Sequence, residues 1–307
     1  IIARHTVGLG DPLDPADILD EDRAGDCLPQ ALTDAIECYG LTHFKVKICG
    51  KLEVDIPRLI AIAQILAEKV PGYRFTLDGN EQYHDLGTFR DHWEAFGRED
   101  ALAEFLSPEH LMFVEQPLFR DVALAPELKE QLADWTAAPP MIIDESDAEC
   151  DSLRRALALG YRGTSHKNCK GVLKGVANRC LLEWYRRDRP QDGPWVMSGE
   201  DLANVGPVAL LNDLAAMAAM GIDDVERNGH HYFAGLSMYP QPLRDKVAAR
   251  HPDLYIESKD GWPTLRITDG RLATGSVNAA GFGCGLDLEK AILQELGEPG
   301  LPRATAG

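Results

Sequence analysis

From Ile1 to about Tyr239, short runs of β-branched and aromatic residues alternate with stretches of helical apolar spacing. The runs that read as strands are Ala3–Leu9, His43–Ile48, Arg74–Leu77, Leu111–Val114, Met141–Ile143, Gly160–Ser165, Trp195–Met197 and Ile222–Glu226. Helical patterns lie between them at Leu28–Tyr39, Pro57–Glu68, Pro126–Trp135, Asp151–Leu159, Gly171–Arg186 and Pro207–Met220. Strands that alternate with helices pair in parallel through crossover connections. Eight such units fit an α/β fold, a closed (β/α)8 TIM-type barrel of about 250 residues. Pro57, Pro126 and Pro207 are expected to open helices, where a missing N–H is tolerated. Gly160 and Gly221 are expected to cap helices and lead into strands. A flat doubly wound sheet is the alternative, but charged groups end at least five of the strands, which favours closure.

The pattern changes after Pro240. One helix (Leu243–Arg250), two strand-like pieces (Leu254–Glu257 and Leu265–Thr268), a glycine-rich loop from Gly281 to Asp287 and a final helix near Leu288–Leu296 are expected. The chain therefore divides into a barrel over residues 1–240 and a C-terminal segment over 241–307. Exposed barrel helices and this added segment make a homo-oligomer the expectation.

Composition narrows the partners. A formal charge of −18 over 307 residues argues against nucleic acid or an anionic membrane as the main partner. It does not exclude an anionic small molecule, because a bound cation and local lysines can reverse the field in one pocket. The seven cysteines are scattered without a C-x-x-C pair, which reads as reduced thiols serving mostly as small core residues. Residues Ile1–Gly10 lack a basic stretch followed by an apolar one, and no apolar run reaches the roughly 20 residues that cross a bilayer. A cytoplasmic protein is expected.

The strand ends carry the chemistry. Lys45 and Lys47 sit two apart on one strand and share a face, although an isolated Lys-x-Lys more often ends in solvent. Asp78, Glu115 and Asp144 each follow an apolar run that would carry the carboxylate to the inner rim. One such Asp is often only a helix cap; three in successive units suit a hard cation such as Mg²⁺. Asn80, Gln116 and Glu145 are candidates to orient those ligands. Lys167 follows the sixth strand, and a lysine buried beside a cation can have its pKa lowered into the range useful for proton transfer. His166 points the other way and reads as a packing or ligand-orienting residue rather than a base, and Lys170 and Lys174 read as solvated. Glu200, Asn228 and His230, at the ends of the last two strands, are candidate substrate contacts. Gly79 reads as a turn former.

Taken together, Lys45-Val46-Lys47, Asp78, Val114-Glu115-Gln116-Pro117, Asp144-Glu145-Ser146 and Lys167 resemble the enolase superfamily, within it the mandelate racemase and muconate lactonizing branch. The resemblance spans nearly the whole chain and includes the late Gly-Phe-Gly-Cys-Gly-Leu-Asp segment, similar to that branch's C-terminal return to its capping domain. It implies Mg²⁺ on Asp78, Glu115 and Asp144, with Lys47 and Lys167 as acid and base across a small carboxylate. Lys45 would hold the substrate carboxylate or lower the pKa of Lys47. The implied chemistry is loss of a proton α to the carboxylate, leading to racemisation, epimerisation, cycloisomerisation or dehydration. Members of the branch begin with an α+β capping domain, and none is expected within this chain. The sixth strand is more polar than the muconate lactonizing pattern, so no particular substrate follows. A metal-free Schiff-base lysine barrel and a non-catalytic metal- or ligand-binding relative are the rival readings.

Overall fold

The computed structural model describes residues 1–200, 205–227 and 234–286. Strands β1 (Ile2–Val7), β2 (His43–Lys47), β3 (Arg74–Asp78), β4 (Leu111–Glu115), β5 (Met141–Ile143), β6 (Gly163–His166), β7 (Val196–Gly199) and β8 (Asp224–Arg227) pair in parallel in chain order. β8 closes the ring against β1, with Ile2 opposite Asp224 and Arg4 opposite Glu226. The expected barrel is the observed one.

The helices between the strands are α1 (Leu32–Tyr39), α2 (Leu52–Lys69), α3 (Leu86–Gly97), α4 (Arg120–Ala123), α5 (Leu128–Asp134), α6 (Ser152–Leu159), α7 (Val172–Asp188) and α8 (Ala209–Ala219). α1 starts later than its pattern suggests, because Pro12 and Leu13 carbonyls take the N–H groups of Leu32 and Thr33. α2 starts earlier, and Pro57 lies inside it. The buried Asp55 carboxylate accepts the N–H groups of Cys49, Gly50 and Lys51 and so folds the turn that begins the helix. Pro57 and Glu53 are both exposed, so water can satisfy the Glu53 carbonyl that proline leaves without a donor. Gly160 and Gly221 cap as expected, both with positive φ.

Alternation along each strand sorts the interior into two environments. Phe44, Val46, Phe75, Leu77, Val114 and Ile143 face outward and bury against Leu59, Ile62, Leu66, Phe89, Phe96, Leu153 and Leu182 of the helices. The lumen is mostly polar. Arg4 crosses it to Ser198, Gly199 and Glu200, its guanidinium 5.5 Å from the Phe113 ring centroid. Truncating one of the fully buried outward phenylalanines to alanine would cost about 3–5 kcal/mol.

The segment after Pro240 folds back on the barrel. It contributes a helix (Gln241–Arg250), a hairpin of β9 (Tyr255–Glu257) and β10 (Pro263–Leu265), and a second of β11 (Ile267–Thr268) and β12 (Arg271–Leu272). β12 pairs antiparallel with β1 at Ile2, at the base of the barrel and opposite the charged strand ends. The expected helix at Leu288–Leu296 lies outside the described residues. No helix among the described residues is long and apolar enough to cross a membrane.

Candidate active site

The turns after β3 and β4 lock into each other, and this lock builds half of the site. Gly79 N–H donates to Glu115 O at 2.9 Å, Glu81 N–H to Gln116 O at 2.9 Å and Tyr83 N–H to Pro117 O at 3.1 Å. A Cβ on Gly79 would lie 2.6 Å from Pro117 Cα. Glycine is thus required there by a close approach of two backbones, not by the turn expected of it. Asn80, Glu81 and Gln116 adopt φ of 40°, 63° and 33°, a strained region for residues with side chains.

Asp78, Glu115 and Asp144 are all buried. Lys45, also buried, enters among them: its Nζ lies 3.1 Å from Asp78 Oδ2 and 2.9 Å from Glu115 Oε2. The same nitrogen is 2.6 Å from Glu200 Oε2 and 3.3 Å from Glu226 Oε2. Asp144 faces a second cation group. Lys167 Nζ donates to its Oδ2 at 2.7 Å, and Lys170 Nζ donates to its Oδ1 and main-chain oxygen, each at 2.7 Å. Ser165 also donates to Asp144 Oδ1. Lys47 is half-buried at the rim and has no ion-pair partner among the described residues.

Gln116 is the clamp of the fifth strand end. Its Oε1 accepts the N–H groups of Asp144 and Ser146, and its Nε2 donates to Leu118 O and Ser146 Oγ. Asn80 acts through its backbone, donating N–H to Asp78 Oδ1 at 2.9 Å. Glu145 leaves Oε2 buried without a hydrogen-bond partner. Burial, then the neighbouring Asp144 charge, pushes its carboxyl up to about 7.

The charges explain the remaining proton affinities. Burial works against the Asp144 carboxylate, but Lys170 and Lys167 outweigh it and hold its pKa down to about 2. Burial also works against the Lys167 ammonium, and Asp144 more than offsets it, so Lys167 stays protonated well above the ordinary lysine range. Glu115 moves the other way, raised by burial and by the nearby Glu200 despite Lys45. Glu226 is pushed up to about 8, first by burial, with Lys45 opposing and Glu200 adding to the rise.

Several expectations need correction. Lys170 and Lys174 are not solvated: Lys170 binds Asp144 and Ser165, and Lys174 binds Asp147 at 3.2 Å. The first turn after β6 carries both back over the ends of β5 and β6. No cysteine is a core residue: Cys27, Cys38, Cys150, Cys169 and Cys180 are exposed and Cys49 and Cys284 half-buried, all as free thiols. His166 takes the packing role, one of the two expected of it, its ring set against Gly175 of α7 and bonded to Asn168 at 3.1 Å. Glu200 is buried, with Arg4 and Ser198 on Oε1 and Lys45 on Oε2. Asn228 and His230 lie outside the described residues. Sequence reasoning missed Arg4, Glu226 and Lys170. Alternation from Thr6 and Asp224 could have turned Arg4 and Glu226 inward; no pattern pointed to Lys170.

The donor chemistry fits a hard cation. Three carboxylates end three neighbouring strands, and Glu115 Oε1 is buried with no hydrogen-bond partner. As they stand, Lys45 lies against Asp78 and Glu115 while Lys167 and Lys170 hold Asp144. Among the described residues no three carboxylate, histidine or cysteine side chains are grouped to hold a metal. Beside Lys167 and Glu200 a cavity of about 230 Å³ opens, lined also by Asn168, Cys169 and Asp213. A larger cavity of about 680 Å³ lies against α7 and α8 and touches none of the carboxylates discussed above.

Neither a protein-family model nor a curated protein sequence matches the chain. Solved structures do. An isomerase from Streptomyces coelicolor A3(2) aligns with a TM-score of 0.54 at 16% identity, over 96% of this chain and 64% of that one. A mandelate racemase/muconate lactonizing family protein from Azoarcus sp. EbN1 aligns with a TM-score of 0.51 at 21% identity, over 98% and 66%. The fold is that of the mandelate racemase/muconate lactonizing barrels. A mandelate racemase/muconate lactonizing enzyme from Roseiflexus sp. aligns less fully, with a TM-score of 0.48 at 21% identity over 64% of this chain and 50% of that one. The chain thus spans half to two thirds of the length of the solved structures it matches. At these identities the likeness is one of fold, and the chemistry rests on the residues.

Proposed function

We propose that this barrel removes a proton α to the carboxylate of a small molecule, with Lys47 and Lys167 on opposite faces of the substrate. One observation carries the reading. β2 and β6 stand four strands apart in a ring of eight, which is the widest separation the ring allows. Lys47 ends one and Lys167 follows the other, with Asp78, Glu115 and Asp144 on the three strands between. A base on one face and an acid on the other permit racemisation or epimerisation, and β-elimination or cycloisomerisation with a suitable leaving group or acceptor.

Asp78, Glu115 and Asp144 would hold Mg²⁺, which supplies positive charge where the substrate carboxylate becomes electron-rich. The protein's own groups do the rest. Lys47, half-buried at the rim with no ion-pair partner among the described residues, would act as base. Lys167, held protonated by Asp144, would serve as acid until that carboxylate takes another cation. Gln116 fixes the main chain of Asp144, and the cavity of about 230 Å³ beside Lys167 is of small-molecule size.

The test is Mg²⁺-dependent exchange of the α-proton in D₂O over hydroxy acids, acid sugars, dipeptides and N-acyl amino acids, with Lys47→Ala and Lys167→Ala measured separately. Exchange that needs the metal, with each variant losing it for one configuration, is the expected result. Metal-independent exchange, or exchange that survives both substitutions, would overturn the assignment.

A further inference from the structure

The four carboxyl groups around Lys45 form two pairs that differ in how they are held. Glu200 and Glu226 are anchored independently of the lysine. Arg4 Nη2 donates to Glu200 Oε1 at 2.7 Å, Ser198 donates to the same oxygen, and Thr6 Oγ1 donates to Glu226 Oε1 at 2.9 Å. Glu115 has no such anchor: neither of its oxygens accepts a hydrogen bond, and its nearest cation is the Lys45 ammonium. Asp78 has one main-chain donor, the Asn80 N–H. Lys45 thus bridges a pair that stays in place without it and a pair that does not.

We propose that Lys45 is a two-position internal counter-ion, which yields Asp78 and Glu115 to a divalent cation and withdraws onto Glu200 and Glu226. This rests on the metal-assisted reading above. An ammonium 2.9–3.1 Å from both carboxylates occupies space and charge that a divalent ion on the same oxygens would need, so the two compete. Withdrawal costs little, because Glu200 already lies 2.6 Å from Nζ and keeps it paired. Ordering of the cation site and release of Lys45 are then one event. Glu200, a candidate substrate contact by its place in the sequence, and Glu226 are then positioning residues that hold the displaced ammonium.

The experiment is Mn²⁺ binding to the whole chain, followed by electron paramagnetic resonance, for wild type, Lys45→Met and Lys45→Arg. Lys45→Met should bind Mn²⁺ at least tenfold more tightly than wild type, and Lys45→Arg, which keeps the charge, should not. In parallel, wild-type protein labelled with ¹⁵N at lysine side chains is titrated with Mg²⁺. The Lys45 Nζ resonance, assigned by its loss in Lys45→Arg, should shift in step with saturation. That measurement decides alone if Lys45→Met does not fold. Mg²⁺ saturation with an unmoved Lys45 signal overturns this inference and leaves the metal reading standing. Failure of wild type and Lys45→Met alike to bind Mn²⁺ overturns both.

Discussion

Gln116 and Asp144 are joined through the side chain of one and the main chain of the other, with Gln116 Oε1 accepting the Asp144 N–H at 2.7 Å. The same amide accepts Ser146 N–H and donates to Leu118 O and Ser146 Oγ, so a single buried residue ties the ends of β4 and β5 together. Gln116→Leu should cost about 2–3 kcal/mol, since it leaves buried polar groups without partners. It should also lower α-proton exchange by about 10–100-fold, as losses of ligand-orienting groups do. Gln116→Glu keeps an acceptor for the Asp144 and Ser146 N–H groups but loses the amide donor, and should retain more of both than Gln116→Leu. Urea unfolding together with the exchange assay checks this; equal activity in all three proteins would show that the clamp is irrelevant to the site.

Asp144 links acid stability to the lysine pair. Its folded pKa, about 2, lies below the ordinary value near 3.9, so its contribution is present above pH 4 and disappears as pH falls toward 2. The difference is worth about 2 kcal/mol. Asp144→Asn should therefore be less stable than wild type at pH 7 by about that amount, with the gap narrowing below pH 4. A gap that is constant with pH would place the loss elsewhere.

His5 gives a second pH signature, in a different window. Burial pushes the imidazole down to about 4, against an unfolded value near 6.5. The neutral form is favoured in the fold, so stability is full above pH 6.5 and falls by up to about 3 kcal/mol between 6.5 and 4. Glu145 runs the opposite way, because its carboxyl is raised to about 7: it favours the fold below pH 4.5 and loses that effect as pH rises through 7. The comparison is thus His5→Gln against wild type at each pH, and the variant should show a shallower loss of urea midpoint from pH 6.5 to 4.

Gly175 and His166 define the contact of α7 with β6. A Cβ on Gly175 would lie 2.4 Å from His166 Nδ1. The helical propensity gained in Gly175→Ala, about 1 kcal/mol, cannot offset a clash with a buried ring, and a net loss of about 1–3 kcal/mol is expected. His166→Ala should relieve it, so the double variant should lose less than the sum of the two. Strict additivity would mean that the helix moves away instead.

Much of the fold could be read before the structure because strand ends and apolar faces follow local rules. Asp78, Glu115 and Asp144 were placed by the apolar runs preceding them, and Gln116 by its place beside a candidate ligand. Lys170 was misread because its position three residues beyond Lys167 looks like a helix surface; the short turn Asn168–Lys170 instead folds it back over Asp144. The cysteines were misread because residue type alone says nothing about where a position lies: Cys38 and Cys180 fall on exposed faces of α1 and α7, and Cys27, Cys49, Cys150, Cys169 and Cys284 in loops and turns.

The sequence by itself determined the order of the strands along the chain, the alternation of faces within each and the charged groups that end β2 to β6, since a period of two residues is a property of the backbone. Only the tertiary structure decided who pairs with whom. Lys45 meets Glu200 and Glu226, 155 and 181 residues away, because β8 closes on β1 and brings the ends of β7 and β8 within hydrogen-bond distance of β2. No local pattern encodes that distance; it is set by the number of strands and the width of the closed lumen.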